Sequence, residues 1–223
     1  MSLSHLSWLL AGAVVGFGAS FVFGDLLTLS VDLYYLIYAT IIVGFLAVYV
    51  RRTRLRLAAW ASRHLAWACV AGVLGGLVLM QGVLAQAETP HLSGGMLWWA
   101  LLWRGVVYGA VDGVFLFAFP WIVVWRTLDV DRDGWPRRVG AGAVAWLAIL
   151  FLTTTYHLGY ADFRSAKILQ PNIGSTIGAV PTLITGNPMA SIISHVVLHV
   201  TAVVHAPHTD LFLPPHRPQQ VLE

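Results

Sequence analysis

Charge is what this chain lacks most. Asp, Glu, Lys and Arg make up 10% of its 223 residues, where a soluble domain carries roughly 25%. A water-soluble enzyme of this size is excluded, because its surface could not be covered with so few charges. Intrinsic disorder is excluded too, since it needs low hydrophobicity and 58% of this chain is apolar. A single cysteine, Cys69, rules out an internal disulfide framework. Lysine is nearly absent, one against twelve arginines, a codon bias that points to a GC-rich bacterial gene. No basic residue precedes the first apolar run and no small-residue cleavage site follows it, so that run reads as retained and not as a cleaved leader. Neither a soluble domain nor an internal repeat is evident.

What is present is a series of long apolar runs. A helix needs about 20 mainly apolar residues to cross a bilayer, and six stretches qualify: 7–23, 33–50, 65–85, 96–125, 139–156 and 188–205. They are continuous and lack the two-residue alternation of a membrane barrel. The expected fold is all-α: a polytopic transmembrane helical bundle of about six spans. Arg51, Arg52, Arg54, Arg56 and Arg63 follow the second run, and Arg126, Arg132, Arg137 and Arg138 follow the fourth. Arg217 lies in the tail, while only Arg164 and Lys167 fall on the other side. The positive-inside bias then puts both termini in the cytoplasm of a bacterial inner membrane. Residues 1–206 form one transmembrane domain and 207–223 a short cytoplasmic tail. The partner implied is the lipid bilayer, not nucleic acid. The connection 157–187 reads as a loop rich in Pro and Gly, whose apolar middle, 172–185, is expected at the interface or re-entrant.

Gly12, Gly16, Ser20 and Gly24 recur every fourth residue, as do Gly72 and Gly76. Such stripes let helices approach closely, here for bundle packing or as a face for a homo-oligomer. Trp98, Trp99, Trp103, Trp121 and Trp125 cluster toward the ends of the fourth run and read as interfacial belts. The segment DVDRDG at 129–134 opens like a calcium loop, but its twelfth position is Gly140 instead of a bidentate Glu. It reads as a charged turn.

Ionisable groups within spans carry the functional signal. Arg104, Tyr108 and Asp112 follow at four-residue steps and form one helical stripe. Arg104 and Asp112 lie about 12 Å apart along the axis, so each needs a partner on another helix, with Asp25, Asp32 and Asp162 as candidates for the arginine. In the last run, a wheel of about 100° per residue places His195, His199, Ser191, Ser194, Thr201 and His205 on one face. The opposite arc holds Ile192, Ile193, Val196, Val197, Val200, Val203 and Val204. Two imidazoles one turn apart can both ligate one metal. His157 is the expected third ligand, with Asp162, Asp32 and Asp25 as alternatives, and zinc suits such a donor set. Hydrogen-bonded core histidines, a proton relay, or haem ligation by His157 and one of the pair are the competing readings.

The segment SHVVLHV with His205 resembles the last helix of the progestin/adipoQ receptor and hemolysin III-like membrane hydrolases. That resemblance implies a zinc site built on an HxxxH pair, an aspartate and a histidine preceded four residues earlier by serine. Thr153 and His157 reproduce the last spacing with threonine. Those proteins have seven spans and carry that histidine early in the bundle, whereas here it falls in the fifth run. ALLWRGVVYG resembles the Arg-Gly half of the motif of CAAX-protease-like intramembrane proteins, with Trp99 and Ala100 where paired glutamates would stand. From the residues, the expected function is a metal-dependent membrane hydrolase acting on a lipid-like or membrane-embedded substrate. His195, His199 and His157 are its metal ligands, Asp162, Asp112 and Asp32 its candidate catalytic carboxylates, and Arg104 and Tyr108 its substrate-binding residues. A permease or proton-handling protein, and an accessory subunit, are the alternatives.

Overall fold

The structure, a computed structural model, describes residues 3–130 and 135–216. Residues 131–134 of the charged turn and Arg217 lie outside them. Every regular element among the described residues is helical. Helix α1 (Leu3–Ala19) runs on into a π-helical stretch, Ser20–Leu26. It is followed by α2 (Val31–Thr53), the short α3 (Leu57–Ser62) and α4 (Leu65–Leu84). The long α5 (Gly94–Leu128) comes next, then α6 (Trp135–His157), α7 (Leu169–Thr185) and α8 (Met189–His205). Five helices, α1 together with its π-helical extension (His5–Leu26), α2, α4, α5 and α6, are long and apolar enough to cross a membrane, and α8 is a shorter apolar helix.

Burial is inverted relative to a soluble bundle. Val14, Leu36, Leu74 and Leu147 are exposed on the outer faces of α1, α2, α4 and α6, as suits helices solvated by acyl chains. The interior instead collects polar aromatics: all seven tyrosines are buried. The most apolar stretch of α5 is 72% buried, against 28–44% for the other four, so α5 is the central post of the bundle. That position corrects the belt reading for part of its tryptophans. Trp98 and Trp99 are exposed, but Trp121 and Trp125 are buried and stacked on each other at 4.4 Å.

Residues 169–185, read from the sequence as part of a loop, form α7. Pro171 falls in its first turn, where a missing N–H costs nothing. Pro181 is interior, and its ring reaches the Gly75 position of α4. Gly186 ends the helix with a φ of 67°, the left-handed conformation glycine adopts freely. The buried side chain of Asn187 then secures the turn. Its Nδ2 donates to the carbonyls of Ala61 (3.1 Å) and Arg63 (2.5 Å), and its Oδ1 accepts from the Met189 amide at 2.9 Å.

This extra helix changes where the described part of the tail lies. The Asn187 contacts place the start of α8 at the arginine-bearing end, beside residues 61–63. Its other end meets the connection after α4, where His205 Nε2 donates to the Gln86 carbonyl at 2.9 Å. The tail then folds back onto the bundle, with Leu213 and His216 buried and the His216 ring 4.8 Å from Tyr160. His5, at the start of α1, packs against Tyr49 near the arginine-bearing end of α2. The six-span reading puts both termini at one end; the described chain starts at one end and its tail docks at the other.

Candidate metal centre

Helix α8 sits between α4 and α5, and glycines set both contacts. Gly105, Gly109 and Gly113 form a stripe on α5, and an added Cβ at Gly109 or Gly113 would lie 3.1 Å from the Cβ of His199 or 3.3 Å from that of His195. On α4, Gly72 and Gly76 receive Ile193 and Val197. The β-branched face of α8 is therefore largely covered by a neighbouring helix, and its imidazole face is pressed against α5. The α5 stripe is a sequence signal that the functional reading missed: three glycines at four-residue spacing beside Asp112, which is buried at 4% exposure.

Asp112 lies in the α-helical segment Tyr108–Gly113 of α5, flanked by π-helical turns at Leu101–Val107 and Val114–Ala118. Such turns change the phase of the face that follows, and the expected single stripe is divided accordingly. Arg104 turns to α2, where its Nε and one terminal nitrogen donate to both carboxylate oxygens of Asp32 at 2.8 and 2.9 Å. Asp112 turns to α8. Tyr108 lies between them, its ring stacked on Tyr35 at 3.8 Å and edge-on to His199 at 5.2 Å.

Asp112, His195 and His199 come together. His195 Nε2 is 2.8 Å from Asp112 Oδ2 and 3.1 Å from His199 Nε2. One potential ligand atom from each of the three residues lies within 4.8 Å of the others. Asp112 Oδ1 accepts a 2.5 Å hydrogen bond from the Tyr38 hydroxyl on α2. All three side chains are buried, and His199 Nδ1 has no hydrogen-bond partner in the protein. A ring nitrogen offers either one proton or one lone pair, so His195 Nε2 cannot bond well to both neighbours at once. A cation among the three would use both imidazole lone pairs and the carboxylate charge together. Two imidazoles and a carboxylate are a zinc donor set that leaves a fourth position open. Ligands about 2.0–2.1 Å from a tetrahedral ion sit roughly 3.3 Å from each other, near the two separations at His195, and all three atoms lie within 4.8 Å of one another.

The other candidate residues are placed elsewhere. His157, the expected third ligand, ends α6 and is outside the converging group. Its Nδ1 donates to the Thr153 carbonyl at 2.8 Å, and its ring lies 5.5 Å from His216. Asp162 pairs with Lys167 at 2.8 Å, Asp25 pairs with Arg164 at 3.1 Å, and Asp32 is held by Arg104. Each thus neutralises a nearby cation on its own side of the bundle. His216, in the tail, has its pKa pushed down to about 3, first by burial and then by the neighbouring His157.

A cavity of about 320 Å³ lies over the triad. Its polar wall includes Tyr108, Asp112, His195, His199, Tyr156 and His157, and the tail contributes Phe212 and His216. The remaining wall is mainly aliphatic and aromatic. Val78 of α4 and Ile173 of α7 line it while being 56% and 60% exposed, so it opens sideways between those helices. Behind Tyr108, the hydroxyls of Tyr34, Tyr108, Tyr156 and Tyr160 bond to one another at 2.5–3.0 Å. These groups satisfy one another in an interior that offers few other partners.

Fold and site define a membrane-compatible helical protein carrying a candidate Asp/His metal group at mid-bundle. Compared with protein-family models, curated proteins and solved structures, the chain matches none of them.

Proposed function

We propose that this protein is a metal-dependent membrane hydrolase in which Asp112, His195 and His199 hold a divalent ion, zinc being the metal that this donor set favours. The convergence of three ligand atoms at the floor of a cavity carries the reading. A zinc ion held by these three residues would supply Lewis-acid chemistry and would bring the pKa of a water on it to near 7. The chain's own residues do the rest. Tyr38 holds Asp112 through its second oxygen and fixes the carboxylate's orientation. Tyr108 and Tyr156 line the cavity, and its apolar wall excludes bulk water. The sideways mouth between α4 and α7 supports a lipid-like or membrane-embedded substrate, which would enter from among the acyl chains. The arginine excess at one end supports an orientation with that end in the cytoplasm of a bacterial inner membrane. The cavity then extends toward the opposite side.

The test is metal content. Detergent-purified protein, saturated with zinc and desalted, should retain about one equivalent, by analogy with three-ligand catalytic sites. Asp112→Asn, His195→Ala and His199→Ala should each lose it, while His157→Ala should keep it. Wild-type protein that retains no metal after this loading would remove the reading.

A second reading is favoured by one observation, the continuous chain Tyr38–Asp112–His195–His199 across α2, α5 and α8. Without a metal, such a chain of proton-exchanging groups is a relay for a proton-handling permease. It requires proton flux in proteoliposomes that falls on Asp112→Asn, together with no retained zinc.

A further inference from the structure

His157 stands outside the triad, but the tail brings a second imidazole to it. The ring centres of His157 and His216 are 5.5 Å apart, with their planes tilted by 32°. Both residues are buried, and both line the cavity that lies over Asp112, His195 and His199. Phe163 stands edge-on to each ring, at 5.0 and 4.7 Å. Tyr156 is edge-on to His157 and Tyr160 edge-on to His216. Packed aromatic neighbours of this kind hold both rings in place.

The two tautomers are set in the same way. His157 Nδ1 bonds to the Thr153 carbonyl at 2.8 Å, and His216 Nδ1 bonds to the Asp210 carbonyl. A carbonyl oxygen only accepts, so each Nδ1 carries the proton and each Nε2 keeps a lone pair. Metal-ligating histidines almost always donate their other N–H in this manner. Burial, and then the neighbouring His157, lower the His216 pKa to about 3, which keeps that ring in the neutral form that ligates. The spacing agrees as well. With metal–nitrogen bonds of about 2.0–2.1 Å, two imidazole centres on one tetrahedral ion stand about 5.2 Å apart.

We propose that His157 and His216 form a second, outer position for a zinc ion in the same cavity, with water as the remaining ligands. Two protein ligands hold an ion less tightly than three, and an ion on the triad repels a second one. The outer ion therefore exchanges readily and is lost on desalting. Because His216 belongs to the tail and His157 to α6, an ion shared between them ties the tail to the bundle. The outer position depends neither on the hydrolase reading nor on metal at the triad.

The experiment is hydrogen exchange in residues 206–216 of the full chain in detergent at neutral pH, with and without zinc. Zinc at about ten times its dissociation constant should raise protection there about tenfold. Magnesium, which prefers oxygen ligands, should not. Asp112→Asn, which disables the triad, should respond at least as strongly as wild type, since no inner ion opposes the outer one. His157→Phe and His216→Phe should each abolish the response, and equilibrium dialysis should register the same loss of bound zinc. Absence of a zinc response in both wild type and Asp112→Asn would overturn the proposal. So would a full response in either phenylalanine variant, so the test stands if one of the two does not fold. A tail response that persists while no zinc survives desalting would remove the triad reading alone.

Discussion

Asp112 is held from two sides: its Oδ1 accepts from Tyr38 and its Oδ2 meets His195. A carboxylate so fixed keeps one oxygen directed at the imidazole pair. Removing the Tyr38 hydroxyl leaves that orientation to chance, and outer partners of metal ligands typically contribute about 10–100-fold in affinity. Tyr38→Phe should therefore bind zinc more weakly by a factor in that range, measured by chelator competition, with the helical content unchanged. An equal affinity would mean that Asp112 is positioned by α5 alone. The tail offers a residue-scale test that needs no metal. His216 is buried beside Phe163 and Tyr160, and its Nδ1 donates to the Asp210 carbonyl. Its docked pKa is lowered to about 3 from an ordinary 6.5, so an undocked tail takes up a proton that the docked one refuses. Docking is then fully favourable above about 6.5 and weakens as pH falls from there toward about 3. Protection from hydrogen exchange in residues 206–216, taken relative to the intrinsic rate at each pH, should fall on acidification through that window, and His216→Phe should flatten the dependence.

Between elements, the site depends on how closely α5 and α8 approach. Their contact has glycine on one side and the backbone and Cβ atoms of the histidine helix on the other. A side chain at Gly109 meets His199 Cβ and Val196 Cα within 3.3 Å, neither of which is a flexible end that can swing aside. Gly109→Leu should force the helices apart, lower the melting temperature and abolish zinc retention together. Gly18→Ala is the control: no atom lies within 4 Å of its added Cβ, and alanine is the better helix former by roughly 0.5–1 kcal/mol, so stability should hold or rise. The same reasoning shows which small-residue stripes serve packing. Gly12 and Gly16 of α1 receive Phe119 and Phe115 of α5, so that stripe is covered within the chain and gives a second copy no free face. The stripe at Gly105, Gly109 and Gly113 was legible as a pattern, but its partner was not, since periodicity names a face without naming what lies against it.

For the whole molecule, the decisive element is α7. Its prolines and glycines carry the local signals of a loop, yet Pro171 falls in the first turn, Gly178 and Pro181 in the packed interior and Gly186 at the helix end. Counting it as a traverse moves the tail to the end of the bundle away from the arginines. In a Cys69→Ser background, Arg54→Cys and His208→Cys should react with a membrane-impermeant maleimide from opposite sides, one in intact spheroplasts and the other only in inverted vesicles. Labelling of both from one side would restore the reading with both termini together.

Composition and hydropathy determined by themselves that the chain is helical and suited to a membrane, because backbone groups in hydrocarbon must bond within their own segment. The wheel of the last helix likewise settled that His195 and His199 share a face, since that follows from helical pitch alone. Only the tertiary structure decided what the pair meets. His157 sits at the end of its helix and bonds to its own backbone, whereas Asp112 reaches the pair through a glycine-lined contact and a π-helical change of phase. Helix-to-helix distance and local winding arise from many side chains packing at once, and no single stretch of sequence encodes them.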